Sequence, residues 1–414
     1  MDLSLSRRPG IPGLVVKAVE NASELRQAND LMAKTHNPIY FDSLRWFENS
    51  GAAYPGFRRE HTRMALAGDE IAGALRITTD TIRIGEARLK TGGVAWVSTA
   101  PRFRHQGVAG MLMRDALRYM RDHQYHVSML FGIPDFYHRF GYVTALADYT
   151  VSVDAAEAAV AAPGPPRKFR RIKPGDIAAI QKIHAANDHD TPCSLLRGAA
   201  HFTNKWERLK DTDVVTDDKG KVIAYAKIAH ADDQLRVEEI GVASLADCAG
   251  IMALCAARAR EECAGRIRFH VPPMHPLARY LRQYTSLHET RFVRERGGMM
   301  AFVNLGEALE HMIPEWEGCL GPGILRDARI ELTLIADGAP YRVRANRGAL
   351  DIAQAAGRNK VGITARELMQ LLAGYRAVDD ILGQSRRLLT GDARGLLHAI
   401  FPKRDPYVWL LDRF

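Results

Sequence analysis

A guanidinium, a glycine-containing loop and a phenol follow one another along one stretch of this 414-residue chain. The stretch begins with the β-type run Val94, Trp96, Val97 and Thr99 and passes Pro101. It then reaches Arg104-His105-Gln106-Gly107-Val108-Ala109-Gly110, which opens a helix, and closes on Phe136-Tyr137-His138-Arg139-Phe140-Gly141-Tyr142. A helix start leaves backbone N–H groups without partners at the positive end of the helix dipole. Gly107 lets the chain turn with no side chain between those amides and a ligand, and Ala109 is small enough to permit approach. Arg104 adds a permanent planar cation suited to phosphate oxygens. The loop can thus hold a phosphate-bearing cofactor; the plainer account is the tight turn that any βα unit needs. Tyr137 also has two accounts, a proton donor to a leaving group or an aromatic packed beside Phe136 and Phe140.

The elements around these residues must place them. Val108, Met111, Leu112, Ala116, Tyr119 and Met120 recur at helical spacing, with Arg114, Asp115, Arg118, Arg121 and Asp122 on the other face. A β-type run from His126 to Phe131 follows. Upstream, Val15 to Val19 reads as a strand, and Ser23 caps a helix through Leu25, Ala28, Leu31 and Met32. Arg63 to Leu66, Ile71 to Thr78 and Thr81 to Lys90 read as strands turned at Gly68-Asp69 and Thr79-Asp80.

Arg104-x-x-Gly107-x-Ala109 after one strand, and Phe136-Tyr137-x-x-Phe140-Gly141-Tyr142 after the next, resemble the GCN5-related N-acetyltransferase (GNAT) family. The resemblance implies that the loop binds the pyrophosphate of acetyl-CoA and that Tyr137 is the acid. It implies Arg104, His105, Gln106, Gly107, Val108, Ala109 and Gly110 as cofactor-binding residues. Acetyl transfer from a thioester requires a neutral amine, a polarised carbonyl and a protonated leaving thiolate. An ammonium near pKa 10.4 must lose its proton directly or through water. Backbone N–H groups along Val97, Ser98 and Thr99 can bind pantetheine and polarise the acetyl carbonyl. Gly132 and Ile133 would face the cofactor arm from the other side.

Ala161-Ala-Pro-Gly-Pro-Pro166 is the clearest linker. Beyond it, a helix through Ile177, Ile180 and Ile183, strands at 213–215, 222–229 and 235–242, a helix around 246–260 and a strand at 266–271 repeat the first pattern in outline. The loop position holds Val242-Ala-Ser-Leu-Ala-Asp247-Cys-Ala-Gly250, with no arginine and an aspartate that would repel phosphate. The last third changes character. It opens on a strand at 299–303 and a helix at 305–313. A hairpin turns at Asp337-Gly338, Thr364-x-x-Glu367 makes a capping box, and the end, Asp405-Pro-Tyr-Val-Trp-Leu-Leu-Asp-Arg-Phe414, is apolar enough to pack inward.

Two GNAT-like units and an α+β end that finishes on an aromatic residue resemble the enhanced-intracellular-survival (Eis-like) acetyltransferases. The fold class implied is α/β (α+β), with tandem GNAT folds on mixed, mostly antiparallel sheets and then a sterol-carrier-like domain. The division implied is a catalytic unit at 1–160, a degenerate one at 165–295 and the sterol-carrier-like domain at 296–414. The resemblance gives Tyr137 as general acid and the α-carboxylate of Phe414 as general base, and implies a homo-oligomer, a trimer or hexamer. One departure is Arg413 beside the end, which speaks against strongly polycationic acceptors. The acceptor implied is a small-molecule amine or a lysine side chain. A protein-amine acyltransferase and a non-catalytic lipid- or small-molecule-binding protein remain as rivals.

Composition bounds the rest. With 47% hydrophobic and 25% charged residues the chain has material for several cores. The net charge of +9 is mostly scattered arginine with no lysine tract, which speaks against nucleic acid as partner. Five cysteines without a C-x-x-C pair, and no signal-type segment after Arg7 and Arg8, fit a reduced cytoplasmic protein. Cys248, Cys255 and Cys263 are expected on one buried helix face. No run approaches a membrane span. No metal is expected: His184-Ala-Ala-Asn-Asp188-His189-Asp190 lacks ligand spacing, and His270 and His275 flank two prolines. Neither a G-x-S-x-G elbow nor an H-E-x-x-H helix occurs.

Overall fold

The computed structural model describes residues 11–36, 44, 47–48, 56–165, 167–204, 209–321, 324–383 and 389–414; Arg7, Arg8 and Pro166 lie outside them. The chain opens with β1 (Leu14–Ala18) and α1 (Ala22–His36), then β2 (Thr62–Ala67), β3 (Glu70–Ile84) and β4 (Ala87–Thr99). Helix α2 (Val108–Asp122) leads to β5 (Val127–Gly132), β6 (Val143–Thr144) and β7 (Asp148–Asp154). After the linker come β8 (Lys168–Arg171), α3 (Ile177–Asn187), β9 (Thr212–Thr216), β10 (Val222–Ala231) and β11 (Gln234–Val242). Helix α4 (Cys248–Glu261), β12 (Arg266–Phe269), β13 (Leu287–Arg291) and β14 (Gly297–Phe302) follow. The last part holds β15 (Arg329–Ala336), β16 (Ala339–Asn346), β17 (Ala349–Ala353), β18 (Lys360–Ile363), α5 (Ala365–Leu372) and α6 (Gly391–Ile400).

Among the described residues three mixed sheets form, ordered β1-β2-β3-β4-β5-β14-β6, β13-β7-β12-β11-β10-β9-β8 and β17-β16-β15-β18. The first two repeat one plan, an antiparallel meander ended by a parallel pair, β4 with β5 and β11 with β12. They also exchange strands. β7 precedes the linker yet joins β12 in the second sheet, while β14 follows the second unit yet joins β5 in the first. Sheet membership therefore does not follow the linear division at 160 and 296. A shared core ties the first sheet (Ile82, Leu89, Met129) to the last part (Leu332, Leu334, Leu368, Phe401).

Five local expectations are corrected. No turn forms at Thr79-Asp80: the pairs Thr79↔Gly92 and Asp80↔Thr91 run on, because the β-branched 77–82 segment stays extended, and the chain reverses only past Ile84, where Gly85 has φ +55°. Asn21, not Ser23, begins α1, its Oδ1 accepting the Glu24 N–H at 2.9 Å. Asp115 is buried rather than on the wet face of α2, held by Arg63 Nε at 2.6 Å. Cys263 is exposed because α4 ends at Glu261, although Cys248 and Cys255 are buried. The single helix expected at 305–313 is instead two, Leu305–Glu310 and Ile313–Leu320, the second with Pro314 in its first turn. Among the described residues no helix is long and apolar enough to cross a membrane.

Candidate active site

A gap in the first sheet organises the site. The parallel strands β4 and β5 pair only across Thr91–Gly93 and Val127–Met129. Beyond that point β4 stays with β3 and β5 stays with β14. A bulge at Trp96, which has φ +51° and packs edge-on against Phe47 at 5.1 Å, bends β4 where the strands part. The β5-facing edge of Val97, Ser98 and Thr99 therefore lies outside any ladder. Ser98 is fully buried with its Oγ donating to Trp96 O, so it offers only backbone to a ligand. His36, which sequence reasoning missed, hydrogen-bonds the Val97 carbonyl through Nε2 at 3.2 Å.

The basic loop lies just past this edge. One tight turn at Pro101–Phe103 follows β4, then His105 (φ +61°) and Gly107 (φ +86°) take left-handed conformations and α2 begins at Val108. The helix sits close because Gly73 of β3 has no side chain: a Cβ there would lie 2.7 Å from Val108 Cγ1. The Met111 N–H returns to Gly107 O at 3.1 Å. The first N–H groups of α2, those of Val108, Ala109 and Gly110, have no partner within the helix itself. Arg104, His105, Gln106 and Gly107 are exposed, and Gln106 braces the turn by donating to Arg102 O at 2.8 Å.

Tyr137 and Phe414 flank the gap from opposite faces. On the α2 face, the Tyr137 ring covers Gly132 so closely that a Cβ there would lie 2.5 Å from Tyr137 Cδ2. Phe136, at 4.9 Å between ring centres, and Tyr142, at 6.2 Å, enclose that ring. Burial pushes the phenol up to about 12, so it is protonated at neutral pH. Ile133 is exposed. On the other face Phe414 lies over Gly93, whose Cβ would meet the ring at 2.6 Å from Cε2 and would also clash with Thr78 Oγ1. Phe131 stands edge-on to Phe414 at 6.1 Å. Gly92, one residue earlier, faces Met120 of α2 instead, which fixes the alternation of faces. Arg413 pairs with Asp148 at 2.8 Å and lies over the Phe131 ring.

The second unit builds the matching place differently. Ser244 Oγ donates to Asp247 Oδ2 ahead of α4. Ala162, Pro163, Gly164, Pro165 and Arg167 line a cavity of about 230 Å³ together with Asp247 and Gly250. The tempting His184 is buried, held down to about 3 by that burial and by Arg197, and lies 3.9 Å from Asp188. Among the described residues no group of three or more His, Cys, Asp or Glu side chains is arranged to hold a metal ion.

Residues 21–145 match the family model described as an acetyltransferase (GNAT) domain. No curated protein matches the chain in sequence. Solved structures share the fold along nearly the whole length. A GCN5-related N-acetyltransferase from Kribbella flavida is 19% identical with a TM-score of 0.69, over 97% of this chain and 98% of that one. Another, from Anabaena variabilis, is 15% identical with a TM-score of 0.74, over 97% and 100%. Eis1 from Mycobacterium abscessus is 13% identical with a TM-score of 0.62, also over 97% and 100%. Residues 21–145 thus form an acetyltransferase (GNAT) domain, and the chain is an acyl-CoA-dependent N-acetyltransferase.

Proposed function

We propose that the chain moves the acetyl group of acetyl-CoA directly to a primary amine within a ternary complex. The observation that supports this most is the gap between β4 and β5, flanked by a buried phenol on one face and by Phe414 on the other. The pyrophosphate would lie on the N–H groups of 107–110, with Arg104 and His105 alongside. Pantetheine would run past Val97, Ser98 and Thr99, with Gly132 and Ile133 opposite. Tyr137 then donates to the thiolate as CoA leaves. The α-carboxylate of Phe414 takes the amine proton, directly or through water. Its intrinsic pKa of about 3.5 makes it a weak base in water, so it serves as much by orienting the amine or a water as by taking the proton itself.

The same reading makes the second unit structural, consistent with the Asp247 carboxylate at the α4 start, and likens the whole to Eis-type enzymes with a sterol-carrier-like last part. Homo-oligomeric assembly, to be checked by light scattering, belongs to that likeness. Arg413 beside Phe414 argues against densely cationic acceptors, an effect that its pairing with Asp148 reduces. The test is CoA release with a panel of amines, on wild type and Tyr137→Phe. Turnover that the substitution cuts about 100-fold or more, with acetyl-CoA affinity kept, supports the reading. Tight acetyl-CoA binding without turnover of any amine would overturn it.

A further inference from the structure

The tail threads three cores. Tyr407 and Trp409 pack into the core of the second sheet, Leu411 into the one under β9 and β10, and Val408 and Phe414 into the core shared by the first sheet and the last part. Apolar packing of this kind leaves the exact register of a short tail weakly specified, since neighbouring apolar residues can exchange places. A charged cluster supplies what packing lacks. Arg197 donates from Nε to Asp412 Oδ2 at 2.9 Å, and from Nη1 and Nη2 to both oxygens of Glu239 at 2.6 and 2.8 Å. All three side chains are 1% exposed. Burial alone would raise Glu239, but the Arg197 charge outweighs it and holds the carboxyl below its ordinary range. His201 Nε2 lies 3.1 Å from the other Asp412 oxygen, and Trp409 donates to Asp188 at 2.9 Å.

The segment that presents Arg197 is itself fixed to β3. Cys193 N–H donates to Arg83 O at 2.6 Å, Leu196 N–H donates to Thr81 O at 2.8 Å, and Leu195 bridges to Ile82. Three residues earlier the same strand offers Thr78 to the Phe414 side of Gly93. A frame therefore runs from β3 through 193–196 to Arg197, on to Asp412, and back through Phe414 to β3 and β4. We propose that Arg197, acting through Asp412, is a positioning residue that sets Phe414 at the β4–β5 gap, an inference that rests on the role given above to Phe414. A buried ion pair is poor evidence of added stability, and fixing one register among several is its best-attested use.

The test uses the full chain with Asp412→Asn, deletion of Phe414, and both together. Expected for Asp412→Asn is a fall in kcat of about tenfold or more, with the KM for acetyl-CoA within about twofold of wild type. The double variant should be no slower than the deletion alone, since both act through one group. Carboxypeptidase should also release Phe414 faster from folded Asp412→Asn than from wild type, whatever the reaction catalysed. Unchanged kcat and unchanged release, or losses that multiply in the double variant, overturn the positioning role. A deletion that turns over at the wild-type rate instead removes the reading of Phe414 as base, and leaves the release assay to decide the positioning. If Asp412→Asn does not fold, Arg197→Lys keeps the charge but not the fork. Wild-type kcat and release in that variant overturn the inference equally.

Discussion

Burial moves Tyr137 up to about 12 and Asp188 up to about 7, and the two shifts act on different properties. For Tyr137 the neutral phenol is what a proton donor needs, so donation should not be limited by ionisation in the working range. The wild-type rate should show no alkaline fall traceable to this group until pH nears about 12, and Tyr137→Phe should lower kcat without adding a new limb to its pH profile. For Asp188 the consequence is stability. Its carboxyl, buried and accepting the Trp409 N–H, holds a proton more tightly than the ordinary value of 3.8. A folded-state value above the unfolded one contributes stability that is complete below pH about 4 and is lost as pH rises through about 7. Asp188→Asn keeps an acceptor for Trp409 and removes the titration. Its melting temperature should therefore exceed wild type by a few degrees at pH 8 and converge with it near pH 4. Parallel melting curves across that range would show that Asp188 is not under strain.

At the scale of elements, the gap between β4 and β5 depends on glycines whose missing side chains leave room for the two aromatic residues. Gly93→Ala would place a methyl inside the Phe414 ring and against Thr78, so the ring must leave. The expected outcome is a fall in kcat of about tenfold or more with acetyl-CoA affinity held, read by steady-state kinetics and calorimetry. Gly92→Ala meets Met120 on the opposite face of the sheet, away from Phe414, and serves as the control. Much of this arrangement is legible in the sequence alone. The loop, α2 and the tyrosine segment were legible because helical periodicity and a left-handed glycine leave local marks. So were the β15–β16 hairpin and the Thr364–Glu367 capping box. What stayed hidden depends on partners distant in sequence. Nothing local marks Gly93 as the seat of residue 414, or His36 as a neighbour of Val97. Asp115 reads as a wet-face residue until Arg63, 52 positions away, is found beside it. The same limit hid Arg197, whose two carboxylates come from β11 and the tail.

The exchange of strands means that neither of the first two sheets is built from one continuous stretch of chain. The family match ends at residue 145, yet the sheet it describes is completed by β14, whose six residues pair with β5 from Gly132 to Val127. Met299 and Met300 of that strand are fully buried, one on each side of the sheet. In return β7, before the linker, lies between β12 and β13 of the second sheet. A fragment ending at residue 160 would keep every residue proposed for the cofactor, and Tyr137. It would lose the partner of the β5 edge and the core that covers the opposite face. An open apolar edge of this kind recruits other chains. The expected outcome is that the 1–160 fragment aggregates or melts without a cooperative transition, and gains no thermal shift from acetyl-CoA at concentrations that stabilise the full chain. A soluble, cooperatively melting fragment that acetyl-CoA stabilises would mean that β14 merely decorates a sheet already complete. The linear division at 160 would then describe folding units after all.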